Sequence, residues 1–485
     1  MRVLLISTYE LGHQPLHVAS PAAALRRAGH DVKCLDLSVQ PWDSEALQWT
    51  QAVAFSVPMH TAMRLGLSAG RRVRADDRDL PICFYGLYAT VSRELVKREL
   101  DAEVIAGEYE PALVAWVAGL AAPEASAGDG DRPIIHLQRG SFDPPARELL
   151  PGLDAYAKLA VGGEERLVGY VEASHGCVHR CRHCPVPAVY DGRIRIVQAD
   201  TVLQDIECLV GLGARHITFG DPDFLNGWRH SLAIVRAMHE RFPELTFDCT
   251  TKVEHVLERA DVWAEMAAAG CLFIVCALES VNDEILVRLD KGHTTAEAVL
   301  AINLLREHGI ETRPSFMPFT PWTTPRDVLE ILDFVAEHDM MANVDPVQYS
   351  IRLLVPEGSL LLALPQLQEH LGPYEPERLS YPWQSADPAA DLLQGRLNAL
   401  VQQSTAAGEP AGVTFARIRA AVREAAGEPA LAEIEVIAMG SSEGRPRLTE
   451  PWFCCAEPTE DQFGSLQAAN CERSALREPP RLLTA

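Results

Sequence analysis

The stretch from Ser174 to Pro187, SHGCVHRCRHCPVP, sets Cys177, Cys181 and Cys184 in the spacing CxxxCxxC. It follows directly on VGYVEAS, an apolar run starting at Val168 that reads as a β-strand. Three thiolates on one short loop can hold three corners of a [4Fe–4S] cube and leave the fourth iron open to a chelating ligand. Zinc is the competing reading, but a closed structural zinc site needs four ligands, and only His179 or His183 stands nearby as a fourth.

Downstream, the runs HITFGD, TFDCTT, LFIVCALES, TRPSFMPF and VDPVQYSIRLL alternate with helical segments. Six such units predict a partial (β/α)6 barrel over residues 167–360, with its chemistry on the loops after the strands. Upstream, VLLIST, VKCLDLS, AVAFSV, ICFYGLY and AEVIAG alternate with Ala/Leu/Arg-rich helices, which predicts a doubly wound, Rossmann-type α/β domain over residues 1–120. The segment AAPEASAGDGDRP marks residues 121–166 as a linker. From residue 361 to 485 the pattern weakens into helical pieces, Pro and Gly breaks and a polar tail.

Composition narrows the function. A formal net charge of −24 argues against nucleic acid as a partner, since phosphate contacts require clustered Lys and Arg. No run reaches the roughly 18 apolar residues of a membrane span, and MRVLLISTYE reads as a first strand and not as a signal peptide. A cytoplasmic protein is expected. In a reducing compartment 12 cysteines are no disulfide framework, so Cys34, Cys83, Cys208, Cys249, Cys271 and Cys276, each in apolar surroundings, read as small core residues.

With the loop and the strand series together, the chain resembles the radical S-adenosylmethionine (SAM) superfamily from about Val168 to Leu360. The resemblance implies that the open iron of the cluster takes the amino and carboxylate groups of SAM, and that one electron then breaks a carbon–sulfur bond of the sulfonium. An electron donor such as flavodoxin or ferredoxin is implied as partner. GDPDF, Gly220 to Phe224, lies where the family carries a Gly-Gly-Glu-like motif for the SAM ammonium, with Asp221 and Asp223 in place of the Glu. Glu279 and Ser280 in ALESVNDEILVRLDKGHT correspond to a segment facing the ribose or carboxylate of SAM, while Lys291 to Thr294 read as a helix cap and turn. Arg313 and Ser315 on the fifth strand and Arg352 on the sixth are candidates to reach a carboxylate, with ordinary ion pairing as the alternative for the arginines.

The front half is similar to the cobalamin-binding-like domain that precedes many such barrels, through Gly86, Ala89 and Thr90, and then Gly107, Glu108 and Glu110. Cobalamin-ligating versions carry an Asp-x-His-x-x-Gly loop after the first strand. Here TYELGHQP offers His13 without that spacing, and Tyr88 stands where relatives often have His, so the domain is expected to act as a lid or docking unit and cobalamin to be dispensable.

The second cysteine group is PWFCCAEPTE, Pro451 to Glu460. Adjacent cysteines close on each other only through a strained ring, and two such thiols suit one soft, thiophilic centre; Cys471 is a candidate third sulfur. This tail resembles that of the CUAEP/CCAEP-tail radical SAM (seleno)protein family. That likeness implies transfer of the 3-amino-3-carboxypropyl group of SAM to arsenite, giving hydroxyarsinothricin, with Cys454 and Cys455 holding the metalloid. Two other readings stay open: a radical SAM methyltransferase or other 5′-deoxyadenosyl-radical enzyme, and a non-catalytic thiol sensor of metalloids.

Overall fold

The computed structural model describes residues 1–91, 93–122, 134–429 and 445–450. Its first sheet contains β1 (Arg2–Ser7), β2 (Asp31–Asp36), β3 (Ala52–Ser56), β4 (Ile82–Tyr85), β5 (Glu103–Gly107) and β6 (Ile135–His136), all parallel, in the order 2-1-3-4-5-6. These strands read as unbroken apolar runs because both faces are covered. Leu4, Ile6, Val53, Phe55 and Phe84 pack one way, with Met63 and Leu67 of helix His60–Asp76. Val3, Leu5, Ala54, Cys83 and Tyr85 pack the other way, with Val18 and Leu25 of helix Leu16–Arg27 and Leu113 of helix Glu110–Ala121. The order reverses between β1 and β3, which opens a crevice at the carboxyl ends of the strands.

The second sheet begins with the antiparallel hairpin β7 (Lys158–Val161) and β8 (Glu164–Val171). A separate ribbon of β9 (Ser174–Gly176) and β10 (Ile194–Ile196) follows. Then β11 (His216–Phe219), β12 (Thr246–Thr251), β13 (Cys271–Glu279) and β14 (Glu311–Phe316) continue parallel from β8. The helices Thr295–Glu307 and Pro325–Glu337, which follow β13 and β14, start on sequence-encoded caps: Thr294 with Glu297, and Thr324 with Asp327, form reciprocal capping boxes. The chain returns at β15 (Arg447–Leu448), which pairs antiparallel with β7 and closes that edge of the sheet. Helices Pro388–Ala406 and Ala411–Ala425 add Leu393, Leu397, Phe415 and Ile418 to the same core as the barrel strands. Among the described residues no helix is long and apolar enough to cross a membrane.

Several expectations change. The sixth barrel unit is no strand: residues Pro346–Ser350 form a 3-10 turn, and one bridge, Phe319 to Arg352, stands where the strand was expected. The expected linker supplies structure to both halves, β6 to the first sheet and β7 to the second. Cys208 is exposed on helix Ala199–Gly211 and Cys34 is half-buried, whereas Cys83, Cys249, Cys271 and Cys276 are core residues as read.

One buried residue joins the halves. Arg147, 0% exposed, meets Asp205 through two bonds of 2.9 and 2.8 Å, and donates to the carbonyls of Tyr170 on β8 (2.6 Å) and Gln14 of the loop after β1 (3.3 Å). Removing one partner of a buried pair strands the other, at a cost of about 3–5 kcal/mol. Arg147→Met should therefore lower the urea midpoint strongly, and Arg147→Met/Asp205→Leu should recover much of that loss. A single variant as stable as the parent would show that the pair does not hold the halves together.

Candidate active site

The cysteine loop is a closed excursion whose neck is the β9–β10 ribbon. Gly176, at φ +76°, lies there so close to the opposite chain that a Cβ would stand 2.3 Å from the Arg193 carbonyl, so this position requires glycine. Asp221 ties the neck to the end of β11, accepting from the Ala173 N–H (2.9 Å) and the Ser174 hydroxyl (2.6 Å). On the far side the Arg182 guanidinium donates to the carbonyls of Val287 and Arg288 at the end of helix Asp283–Leu289, a cation at a helix C-terminus. The short helix Val186–Tyr190 packs against Ala106 of β5. Cys177 and Cys181 are buried, Cys184 is half-buried, and all three line one cavity.

That cavity, about 330 Å³, lies between the strand ends of the two halves. The front domain contributes Glu10, His13, Tyr88 and Tyr109, and the barrel contributes Gly220, Lys252, Glu279 and Ser315. Gly220 is held to glycine by packing, because a Cβ would overlap the Tyr170 ring. Glu279 ends β13 in the left-handed region, at φ +65°, beside a register shift of the strand pair. Such strain in a non-glycine residue clusters at functional sites. Its carboxylate meets His183 at 3.2 Å and Lys291 at 3.3 Å. Burial opposes its charge, but Lys291 and His183 outweigh burial and hold the carboxyl at about 2.

A second charged chain crosses the cavity wall. His17 meets Glu172 at 3.3 Å, Glu172 meets His175 at 3.3 Å, and His175 meets Glu108 at 2.9 Å. Burial disfavours both imidazolium ions, yet the carboxylates outweigh it, raising His17 to about 9 and His175 to about 10. Glu10 beside them is pushed up to about 7 by burial.

The candidates from sequence divide. Cys177, Cys181, Cys184, Gly220, Asp221, Glu279 and Ser315 converge on the cavity. Ser280 is buried and accepts from the Asn282 N–H at the start of the next helix. Asp223 is buried, accepting from the Leu225 N–H and the Thr251 hydroxyl. Arg313 and Arg352 do not meet the expectation: Arg313 pairs with Asp345 at 3.0 Å, and Arg352 pairs with Asp391 at 2.7 Å and stacks on Trp383. Ion pairing inside the fold consumes both guanidinium groups. Cys454, Cys455 and Cys471 lie outside the described residues. Sequence reading missed Lys252, His175 and Glu172 and took Lys291 only as part of a helix cap and turn; the position of His183 immediately before the third cysteine was a usable signal.

Residues 171–335 match the family model described as the Radical SAM superfamily. An uncharacterized methyltransferase of Pyrococcus horikoshii is 22% identical over 366 residues, covering 70% of this chain and 75% of that protein. Among solved structures, the cobalamin-dependent S-adenosylmethionine radical enzyme OxsB, with aqua-cobalamin and SAM bound, matches with a TM-score of 0.65 at 15% identity, covering 83% of this chain and 67% of that one. The radical SAM methyltransferase TsrM from Kitasatospora setae, with cobalamin and a [4Fe–4S] cluster bound, gives 0.54 at 18% identity, covering 70% and 73%. The fold is that of a Rossmann-like domain followed by a radical SAM domain. The matched region is a radical SAM domain, and its cysteine loop fits a [4Fe–4S] cluster, with three thiols on one pinned loop facing one cavity.

Two outcomes follow. Anaerobically reconstituted protein should hold about four labile sulfides with the matching cluster iron, and Cys177→Ala/Cys181→Ala/Cys184→Ala should hold no sulfide; sulfide analysis and paramagnetic resonance decide. For pH, the two histidines have folded values above the unfolded value of about 6.5. Their contribution is therefore complete below about 6.5 and is lost as pH rises through about 9 to 10. Thermal midpoints recorded from pH 6.5 to 10 should fall less steeply in His175→Gln than in the parent; equal slopes would count against the network.

Proposed function

We propose that this enzyme joins the 3-amino-3-carboxypropyl group of SAM to the arsenic of arsenite, forming hydroxyarsinothricin, and that Cys454 and Cys455 present the metalloid. The observation that carries this reading is the docking of β15 and Glu450 beside the cavity. Leu448 of β15 lines the cavity, and the Glu450 carboxylate accepts from the Tyr9 hydroxyl at 2.7 Å in the loop after β1. Cys454 follows four residues later, a span of at most about 14 Å. A dithiolate is the preferred ligand of a soft trivalent centre.

When bound, a [4Fe–4S] cluster supplies one electron to the sulfonium. The chain's residues hold and orient the reactants. Lys291 and His183 keep Glu279 ionised at the cavity wall, where it would meet the ribose of SAM, while Gly220, Asp221 and Ser315 would border its methionine end, with Ser280, Asp223 and the turn they hold behind. Breaking the Cγ–S bond releases methylthioadenosine, the carbon radical adds to the arsenic lone pair, and the adduct gives back the electron spent on the sulfonium as arsenic becomes pentavalent. Overall, sulfonium and arsenite become methylthioadenosine, an arsonic acid and a proton, with no net electron consumed. Placement of the sulfonium selects the bond that breaks. Reduction by flavodoxin or ferredoxin in the cytoplasm belongs to this reading.

The reaction is proposed to be cobalamin-independent. TYELGHQP carries His13 without the Asp-x-His-x-x-Gly spacing of corrinoid-ligating loops. The loop after β1 is also occupied: the His13 ring lies 4.7 Å from that of Tyr170, and Tyr9 is engaged by Glu450. One observation favours a second reading, cobalamin-dependent methyl transfer: the two-domain fold is shared with OxsB and TsrM, both solved with cobalamin bound.

The deciding experiment incubates reduced enzyme, prepared without cobalamin, with SAM and arsenite. Methylthioadenosine and an arsenic-bound aminocarboxypropyl product are expected. Cys454→Ser and Cys455→Ser should each lower that product by roughly tenfold or more at limiting arsenite, because a hydroxyl replaces a soft thiolate. Cluster absorbance and SAM cleavage should persist. Wild-type rates in both variants would dismiss the tail as the metalloid site, and a strict corrinoid requirement would favour methyl transfer.

A further inference from the structure

Two turns of chain beside the cysteine loop bring together a donor set in which Asp223, a support behind the SAM site in the reading above, meets two histidines to which that reading gives no role. Asp223, 0% exposed, has one carboxylate oxygen fixed by the Leu225 N–H (3.1 Å) and the Thr251 hydroxyl (2.8 Å). Its other oxygen faces two imidazoles, His255 Nδ1 at 2.8 Å and His179 Nε2 at 3.7 Å. The three donor atoms all lie within 4.8 Å of one another. His179 Nε2 is fully buried and has no hydrogen-bond partner, while its Nδ1 stands 3.6 Å from the Glu254 carboxylate, itself tied to Lys252 at 3.2 Å.

We propose that His179, Asp223 and His255 form a mononuclear site for a divalent first-row cation, zinc or ferrous iron. Donors at 2.0 to 2.2 Å from one ion stand roughly 3.0 to 3.5 Å apart, and the observed separations of 2.8 and 3.7 Å bracket that range. Two imidazoles and one carboxylate match the ligand preferences of these ions. The surroundings are those of a metal centre. One oxygen of the carboxylate is oriented by donors, and the second nitrogen of His179 looks onto a carboxylate, the outer contact that fixes a ligating imidazole. An ion here ties the cysteine loop, through His179, to the turn after β11 and to the helix after β12, so it positions the loop that carries Cys177 and Cys181.

The test uses full-length protein with its cluster reconstituted, in a Cys454→Ser/Cys455→Ser background that removes the tail thiols as a competing soft site. After incubation with zinc sulfate and gel filtration, plasma mass spectrometry should find one zinc per chain beside a full complement of labile sulfide. His255→Gln and Asp223→Asn should lose that zinc and keep the sulfide. Because Asp223 is buried and its replacement can disturb folding, the half-buried His255 decides if Asp223→Asn proves insoluble. A parent chain that retains no zinc, or a His255→Gln chain that retains as much as the parent, would overturn the site.

Discussion

The bidentate contact of Arg147 with Asp205 is the constraint on which the arrangement of this molecule depends. It satisfies a charge with no access to solvent, and its remaining donors are spent on backbone carbonyls of both halves, Gln14 and Tyr170. A guanidinium is suited to this because its planar fork has five donors in fixed directions. With the halves held in this way, the strand ends of the first sheet face those of the second, and the space between them becomes one walled cavity. Neither half alone encloses it.

The electrostatics of that cavity follow from the same closure. Charges that would be screened in water face one another in a poorly polarisable interior. Glu279 faces Lys291, and the His17–Glu172–His175–Glu108 chain alternates sign along its length, so each of these charges has an opposite neighbour. Both sets take members from distant parts of the chain, and the second spans the boundary between the halves. The cavity's chemistry is a property of the assembled pair of domains.

This explains what was legible beforehand. Cys177, Cys181 and Cys184 were readable because a cluster loop needs its ligands close together in sequence, and the strands were readable because burial on both faces demands continuous apolar runs. The candidate roles of Gly220 and Glu279 came from resemblance, and the structure adds a reason for each: the Tyr170 ring over the glycine, and strain at the glutamate. Arg147, Lys252 and Lys291 were not legible, since a lone cation in a polar segment has the same local pattern whether it is solvated or buried against a partner many residues away. Arg313 and Arg352 failed for the converse reason: their partners, Asp345 and Asp391, satisfy them locally in space.

The edge strand β15 bears on how the chain is made. An unpaired sheet edge invites association with other chains, and here the strand that covers β7 comes from residues 447 and 448, after every other described element has been synthesised. A polypeptide released early would carry the cluster loop and nearly all of the barrel, yet would display a bare edge at β7 and lack Cys454 and Cys455. The chain therefore covers the β7 edge and reaches the thiol pair within the same short stretch of sequence.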